Sequence, residues 1–451
     1  MTGAGTSSAN VAARIERLPL CGFHRRFIVL IALGGWFDLY DLFMMAYVGA
    51  ALQASHFLTL GQFTSVIAWG FGGMFLGTLG MGIASDRFGR RTVFVCMLLA
   101  YSFFTLLGAF APSPGFLIVT RFLAGIGVGA ELVVIDTFVA EVVPKQARGK
   151  YLAIAHLIAF TGVPTAALLT NLLAPTHFLL DGWRWVLIIG SAGALGTWYS
   201  RRRMPESPRW LESAGRHAEA NEILTGIEDE VRRECGSLPE PQLESSPQIR
   251  SAPFRELFSP AYRGRTFMMI VFQLLQTVGV YGFANWAPTF LLRQGRNLGQ
   301  SLALAAWMTV LSPAGPAIAV FTSERFERKW TIVVLALAMA VFGLVFPFAS
   351  TAAAIILTGA ALTVLSYWFS AIYHMYQAEL FPTRARATGV GFTYCWSRLS
   401  TVGSTILIGL LLRRGALAVF IFMSAAMTGV ALVIGAFGPR VNSRPLDDVS
   451  S

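Results

Sequence analysis

The heptapeptide Ser85-Asp86-Arg87-Phe88-Gly89-Arg90-Arg91 is answered 238 residues later by Ser323-Glu324-Arg325-Phe326-Glu327-Arg328-Lys329. A second pair keeps the same offset: Glu141-x-x-Pro144-x-x-x-Arg148 and Glu379-x-x-Pro382-x-x-x-Arg386. Two unlike motifs sharing one offset point to a duplicated unit. Each motif follows an apolar stretch of about 20 residues, the length that crosses a ~30 Å hydrocarbon core. Outward from these landmarks the chain divides into twelve such stretches, roughly 27–51, 60–84, 92–111, 115–140, 151–174, 184–200, 266–292, 301–321, 331–348, 352–378, 387–412 and 416–438. Runs of this length argue against a barrel, whose strands show ~10-residue alternation. The expected fold is an all-α membrane protein, twelve transmembrane helices in two pseudo-symmetric six-helix halves. The chain then reads as a tail (1–26), a first half (27–200), a linker (201–265), a second half (266–438) and a second tail (439–451).

Composition agrees. Over 451 residues, 55% are hydrophobic and only 13% charged, with mean hydropathy +0.60. A water-soluble chain of this length needs more polar surface. The net charge of +11 is explained by placement. With the N-terminus inside, 28 of the 35 basic residues fall in the termini and the loops on that side. Five (Arg184, Arg293, Arg296, Arg413, Arg414) fall outside, and Arg121 and Arg398 lie within helices. This bias predicts cytoplasmic termini in a cell inner membrane, and it speaks for a lipid bilayer, not nucleic acid, as the partner of the charge. The first apolar block is too long for a signal-peptide core and is expected to stay as the first helix. Cys21, Cys96, Cys235 and Cys395 are scattered, with no metal-ligand spacing. Within the linker, 212–235 has the pattern of short amphipathic helices beneath the membrane; such a segment either merely connects the halves or latches them from below.

The motifs carry a resemblance over essentially the whole chain. Gly77-x-x-x-x-Gly82-x-x-Ser85-Asp86-Arg87-x-Gly89-Arg90-Arg91 resembles the major facilitator signature between helices two and three. Pro205-Glu206-Ser207-Pro208-Arg209-Trp210-Leu211 and the run Arg121 to Gly129 are similar to the sugar porter branch and its relatives, the metabolite:proton and aromatic acid:proton symporters. The resemblance implies alternating access around a central site between the halves.

Charges at membrane depth are expensive, ~2.5–3.5 kcal/mol each on insertion scales, and mark function by default. Asp38 and Asp41 lie i,i+3 on one face of helix one. Asp41 and Arg121 sit at similar depths from the outer side, near enough for an ion pair. Burial raises an aspartate's pKa and a neighbouring guanidinium lowers it, so parting the pair loads a proton and re-forming it releases one. The sugar-porter resemblance implies the same role for these two positions. A fixed ion pair that only orients helices is the alternative. Asp38 completes an Asp-x-x-Asp spacing similar to the aromatic acid symporters; Glu131, deep in helix four, is a further proton-coupling candidate, while Asp136 reads as structural.

On the inner side, Asp86, Arg87, Arg90, Glu141, Arg148, Arg325, Glu379 and Arg386 form a candidate cytoplasmic gate. A carboxylate at a helix C-terminus opposes the dipole and needs a basic partner. For substrate, Gln276 matches a sugar-binding glutamine, but its companions read Leu275 and Tyr281, the helix-five positions read His156 and Val163, and the helix-ten tryptophan reads His374. Most of the amides that read sugar hydroxyls are thus replaced by histidines and by the aromatics Tyr281, Trp286, Tyr373 and Tyr376. Histidine hydrogen-bonds carboxylates, aromatic rings sandwich flat ligands, and Arg398 supplies a planar cation. Gln276, Tyr281, His156, His374, Arg398 and Trp286 are the expected substrate contacts. No nucleophile–base pair or metal-ligand cluster appears among the six histidines and four cysteines, so the reading is a transporter and no enzyme. It has no cofactor, a proton as coupling ion, a small-molecule substrate and a monomeric state. Proton-coupled import of a small organic acid or aromatic carboxylate leads; sugar or polyol:proton symport is the alternative.

Overall fold

The computed structural model describes residues 11–202, 204–240, 254–323, 325–381 and 386–441; within them the side chains of 81–83, 86, 130–137, 140, 145, 146, 386 and 387 lie outside the description. Asp86, Glu131, Asp136 and Arg386 are therefore expectations that fall outside the described side chains.

A short α1 (Val11–Glu16) precedes α2 (Gly22–Ala54), α3 (Leu60–Phe88), α4 (Arg90–Ala109) and α5 (Pro114–Val142). The fifth crossing is broken into α6 (Lys145–Phe160) and α7 (Gly162–Leu173). A small ribbon, β1 (His177–Phe178) against β2 (Leu180–Asp181), leads into α8 (Gly182–Arg201). The linker folds as α9 (Pro208–Ser213) and α10 (His217–Cys235), with a 3-10 turn at Phe254–Phe258. The second half runs through α11 (Arg263–Arg293), the broken α12 (Leu298–Thr309) and α13 (Ala314–Thr322), α14 (Arg328–Val345), α15 (Ala352–Glu379), α16 (Arg386–Leu411) and α17 (Ala416–Phe437). Counting each broken pair once gives twelve crossings in two halves. Among the described residues ten stretches are long and apolar enough to span a membrane on their own composition; α5 contributes a shorter apolar stretch, Pro114–Gly129, and α8 carries arginines at both ends.

Local chemistry sets the helix ends on the face away from the termini. Thr59 and Gln62 form a reciprocal capping box on α3, Ser113 followed by Pro114 starts α5, and Asn297 and Thr351 cap α12 and α15. The breaks have causes too. Pro164 offers no N–H to the carbonyl of Phe160, and Pro313 none to that of Thr309. The two breaks meet across the molecule, where the Ser312 hydroxyl donates to the Phe160 carbonyl at 3.4 Å.

Helix α3 packs on α5 at backbone distance. A Cβ on Gly73 would lie 2.0 Å from the Phe122 carbonyl oxygen, and one on Gly125 2.2 Å from that of Gly70. Small residues substitute there for the hydrophobic drive that lipid removes.

Between the halves, contact concentrates on the face away from the termini. There α7 lies against α12 and α2 against α11. Gln53 donates to the Thr289 hydroxyl at 3.2 Å, and Phe63 meets Trp286 edge-on at 5.3 Å. On the linker-bearing face α6 and α13 touch only lightly. The halves, joined also by α3 against α16, are thus held less closely at α6 and α13 on the linker-bearing face.

The linker helices dock on the first half. The apolar face of α10 (Ala220, Leu224, Ile227, Val231) is covered by Val11 and Ile15 of α1 and by Phe27, Ile28 and Val139. Arg14 grips Glu228 with two nitrogens at 2.8 and 3.0 Å, and Arg17 adds a third contact at 2.7 Å. Burial pushes the Glu228 carboxyl upward, but the hydrogen bonds from Arg14 and Arg17 outweigh it and hold it below its ordinary value. Glu16 ties Arg209 at 2.7 Å and Arg148 at 3.4 Å. These described contacts fasten α9 and α10 to the first half instead of bridging the two halves. The amphipathic face expected at 212–235 is thus covered by protein.

Candidate functional site

Three helices of the first half bring Asp41, Thr105 and Arg121 together. Arg121 Nη2 donates to Asp41 Oδ2 at 2.8 Å and to Thr105 Oγ1 at 3.1 Å; the Thr105 hydroxyl donates to Asp41 Oδ1 at 2.9 Å. The aspartate and arginine side chains are 9% and 5% exposed, so the charges face each other with little water between them. In such surroundings the pair is sensitive to any movement of α2 against α5, because neither ion is easily left alone. Asp38, one turn away, is buried as well. Thr105 has no charge and no motif around it, and nothing in the sequence singled it out.

The pair borders a small cavity at the seam of the halves. Its wall is apolar (Met45, Ile67, Phe71 and Met74 among others), and from the second half Asn285 of α11 enters it. A second small space is lined by Phe43, Tyr47, Phe283 and Tyr367. Phe43 stacked on Tyr281 at 6.3 Å and Phe160 edge-on to Tyr367 at 4.8 Å join the halves around these spaces.

Across the seam, Arg398 of α16 is 1% exposed. Its Nη1 donates to the Tyr281 hydroxyl at 2.9 Å and its Nη2 to that of Tyr394 at 2.8 Å. The guanidinium also lies over three rings: Tyr394 at 5.0 Å, Tyr281 at 5.5 Å and Phe71 at 6.0 Å. Its Nε has no hydrogen-bond partner, and no ion pair among the described residues includes it. His374 is exposed and stacks on Tyr373 at 4.3 Å, with Tyr394 at 5.5 Å. Tyr281, Arg398 and His374 thus belong to one cluster. Tyr394, which joins them, was not among the expected contacts; its signal was the i,i+4 spacing to Arg398 on one helix face.

Other expected contacts lie elsewhere. Gln276 is buried in an amide relay: it donates to Gln273 at 2.9 Å, which donates to Gln377 at 3.0 Å, which donates to Thr393 at 2.8 Å. Trp286 is fully buried among Phe63 and Phe290. His156 is exposed on α6.

On the linker face the repeat is repeated in three dimensions. Arg90 meets Glu141 at 3.3 Å, and Arg328 meets Glu379 at 2.7 Å; the second pair is the first displaced by the 238-residue offset. Both pairs stay within their own half. Arg328 was not among the expected gate residues, although the offset from Arg90 pointed to it. Arg87 and Arg325 are exposed, and Arg148 is held by Glu16. Glu206 of the Pro-Glu-Ser-Pro motif accepts from the Arg91 backbone N–H at 2.9 Å, placing a carboxylate at the N-terminus of α4, where the dipole favours it. A third buried guanidinium, Arg201, donates to the Leu30 and Ile31 carbonyls at 2.9 and 2.7 Å. Standing in a run of three arginines at the linker boundary, it carried no sign of folding inward.

A family model described as sugar (and other) transporter matches residues 27–451. A putative metabolite transport protein of Bacillus subtilis is 31% identical over 97% of each chain. The niacin transporter of Acinetobacter baylyi is 29% identical, covering 98% of this chain and 99% of its own. Among solved structures, the xylose transporter XylE of E. coli in a partially occluded inward open conformation superposes with a TM-score of 0.75 over 94% of this chain and all of its own; at 17% identity this likeness concerns the fold alone.

Proposed function

The chain belongs to the sugar (and other) transporter family of the major facilitator superfamily, and from that premise we propose that it is a proton-coupled symporter importing a small organic acid or aromatic carboxylate by alternating access. The observation that carries the reading is Arg398. A guanidinium buried among rings, met only by phenol hydroxyls and with Nε to spare, keeps its full charge in a medium that penalises it by several kcal/mol. A substrate carboxylate supplies the missing negative charge and a planar two-point contact. Aromatic walls around it favour a flat ligand. The niacin transporter, itself similar over nearly the full length, handles a substrate of this kind. The competing sugar reading draws on the family and on Gln276, whose amide is already engaged in the relay to Gln377.

In this cycle Asp41 takes a proton when its contact with Arg121 opens and gives it up when the contact re-forms. Asp38 and Glu131 are secondary proton sites. One proton carried with one monocarboxylate moves no net charge, so the pH difference drives it; each further proton adds ~2.3 kcal/mol per 100 mV of membrane potential. With the linker face cytoplasmic, the described arrangement is inward-facing. The gate pairs Arg90–Glu141 and Arg328–Glu379 are then the arms of a latch that closes across the halves in the opposite state. The protein acts as a monomer in the inner membrane, without a cofactor.

Affinity measurements on three variants test the substrate class. Arg398→Lys is expected to weaken an aromatic acid about 10-fold or more, since an ammonium cannot reproduce the fork. His156→Ala should cost no more than one neutral hydrogen bond, ~0.5–1.5 kcal/mol. Indifference to Arg398→Lys together with a large loss of sugar binding in Gln276→Leu would establish the sugar alternative instead.

A further inference from the structure

The cavity beside Asp41 and Arg121 holds two hydrogen-bond donors that the protein does not use. Arg121 Nη1 and Asn285 Nδ2 are both buried without a partner, on side chains 5% and 2% exposed, and both residues line the same space. They come from opposite halves, α5 and α11. The acceptors there are the Asn285 amide oxygen and Asp41, whose two oxygens already engage Arg121 Nη2 and Thr105. The site therefore offers donors and asks for an acceptor.

Its position relative to Arg398 is fixed by two features. Asn285 follows Tyr281, the phenol that holds Arg398, by four residues of α11, which is one turn and about 6 Å along the axis on the same face. Phe71 lines the cavity of Arg121 and Asn285 and also lies under the Arg398 guanidinium. One aromatic ring with a substituent spans such a step. Pro288, inside α11, offers no N–H to the Ala284 carbonyl, which leaves the turn bearing Asn285 less constrained than the rest of the helix.

We infer that Arg121 Nη1 and Asn285 Nδ2 together receive a second hydrogen-bond acceptor of the substrate. The preferred ligand is then an aromatic carboxylate carrying a ring nitrogen or hydroxyl oxygen away from its carboxylate. This rests on the carboxylate reading of Arg398 and adds to it. Such a ligand touches both halves and shares a guanidinium with Asp41. Drawing Arg121 toward the ligand weakens its hold on the Asp41 carboxylate, which then takes its proton from the open side of the cavity. Occupancy and protonation become linked at one arginine.

The test uses the purified full chain in detergent at neutral pH, titrated with benzoate, pyridine-3-carboxylate and 4-hydroxybenzoate. The wild type is expected to bind at least one of the acceptor-bearing acids roughly 3- to 10-fold more tightly than benzoate, the value of one or two net hydrogen bonds. Asn285→Leu should bring that preference to within about 2-fold while leaving benzoate affinity in place, and the isosteric Asn285→Asp, which presents an acceptor to the pyridine nitrogen, should reverse the preference for pyridine-3-carboxylate, whereas the hydroxyl of 4-hydroxybenzoate still donates to it. The Asp variant keeps the shape should the Leu variant not fold. Arg398→Lys should weaken all three acids together. If the wild type does not discriminate, or if both Asn285 variants keep its preference, the inference is overturned while the carboxylate reading stands. If none of the acids binds the wild type, both fall.

Discussion

Asp41 makes two hydrogen bonds, to Arg121 and Thr105, and each comes from a different helix. Replacing its carboxylate with an amide keeps the size but removes both the charge and the titratable proton. Asp41→Asn is expected to abolish proton-driven accumulation of substrate in vesicles while leaving exchange down a gradient partly active. Removing one partner of a buried ion pair typically costs about 3–5 kcal/mol, so the variant should also unfold at lower temperature. Accumulation against a gradient by Asp41→Asn would move the coupling site to Asp38 or Glu131. At this scale the sequence was partly legible. Asp41, Arg121 and Arg398 announce themselves because a charge inside an apolar run is conspicuous. Thr105, Asn285 and Tyr394 do not, because a neutral polar side chain in a helix looks the same whether it faces a neighbour or a cavity. The direction Gln276 faces could not be read either: its partners Gln273 and Gln377 are polar residues of the same plain kind.

The broken crossings and the docked linker belong to the scale of elements. Apolar length located the fifth and eighth crossings but not their interruptions, since the hydropathy of 151–174 and 301–321 runs on across Thr161 and Val310. The prolines that cause the breaks were visible, yet proline also occurs within the unbroken α11, where neighbours compensate for the lost bond. For the linker, amphipathic periodicity was clear while the surface covering it was not, because α1 lies about 200 residues away in sequence. The clasp of Arg14 and Arg17 on Glu228 gives this bundle a pH signature. Glu228 titrates below its ordinary value of 4.5 when folded, so its contribution is complete above that value and is lost as pH falls through the lower, folded one. Protection of the amides of residues 11–17, measured against the intrinsic exchange rate at the same pH, should accordingly be high at pH 7 and fall below about pH 4.5. In Glu228→Gln it should be low at both. Unchanged protection in that variant would mean that the apolar contacts of Val11 and Ile15 suffice.

Across the whole molecule, the duplication read from two heptapeptides reappears as two ion pairs in matching places, Arg90–Glu141 and Arg328–Glu379. Pseudo-symmetry was legible because it is written into motif spacing. Which face of the seam is closed was not, because that depends on how the halves lean against each other and not on which residues each face carries. Ser213→Cys should escape an impermeant thiol reagent applied outside intact cells, with Cys96 and Cys235 replaced as background; external labelling there would invert the orientation and with it the assignment of an inward-facing state. A last consequence concerns how such a chain is made. The segments α7 and α13 contain 12 and 9 residues, about 18 and 14 Å of helix at 1.5 Å per residue, well short of a bilayer. Beside the first break, the Phe160 carbonyl receives its hydrogen bond from Ser312, 152 residues further along. During synthesis the first six crossings enter the membrane before that serine exists, with a carbonyl awaiting a donor where lipid provides none. The fifth crossing therefore gains this hydrogen bond only when the eighth has been translated and laid against it.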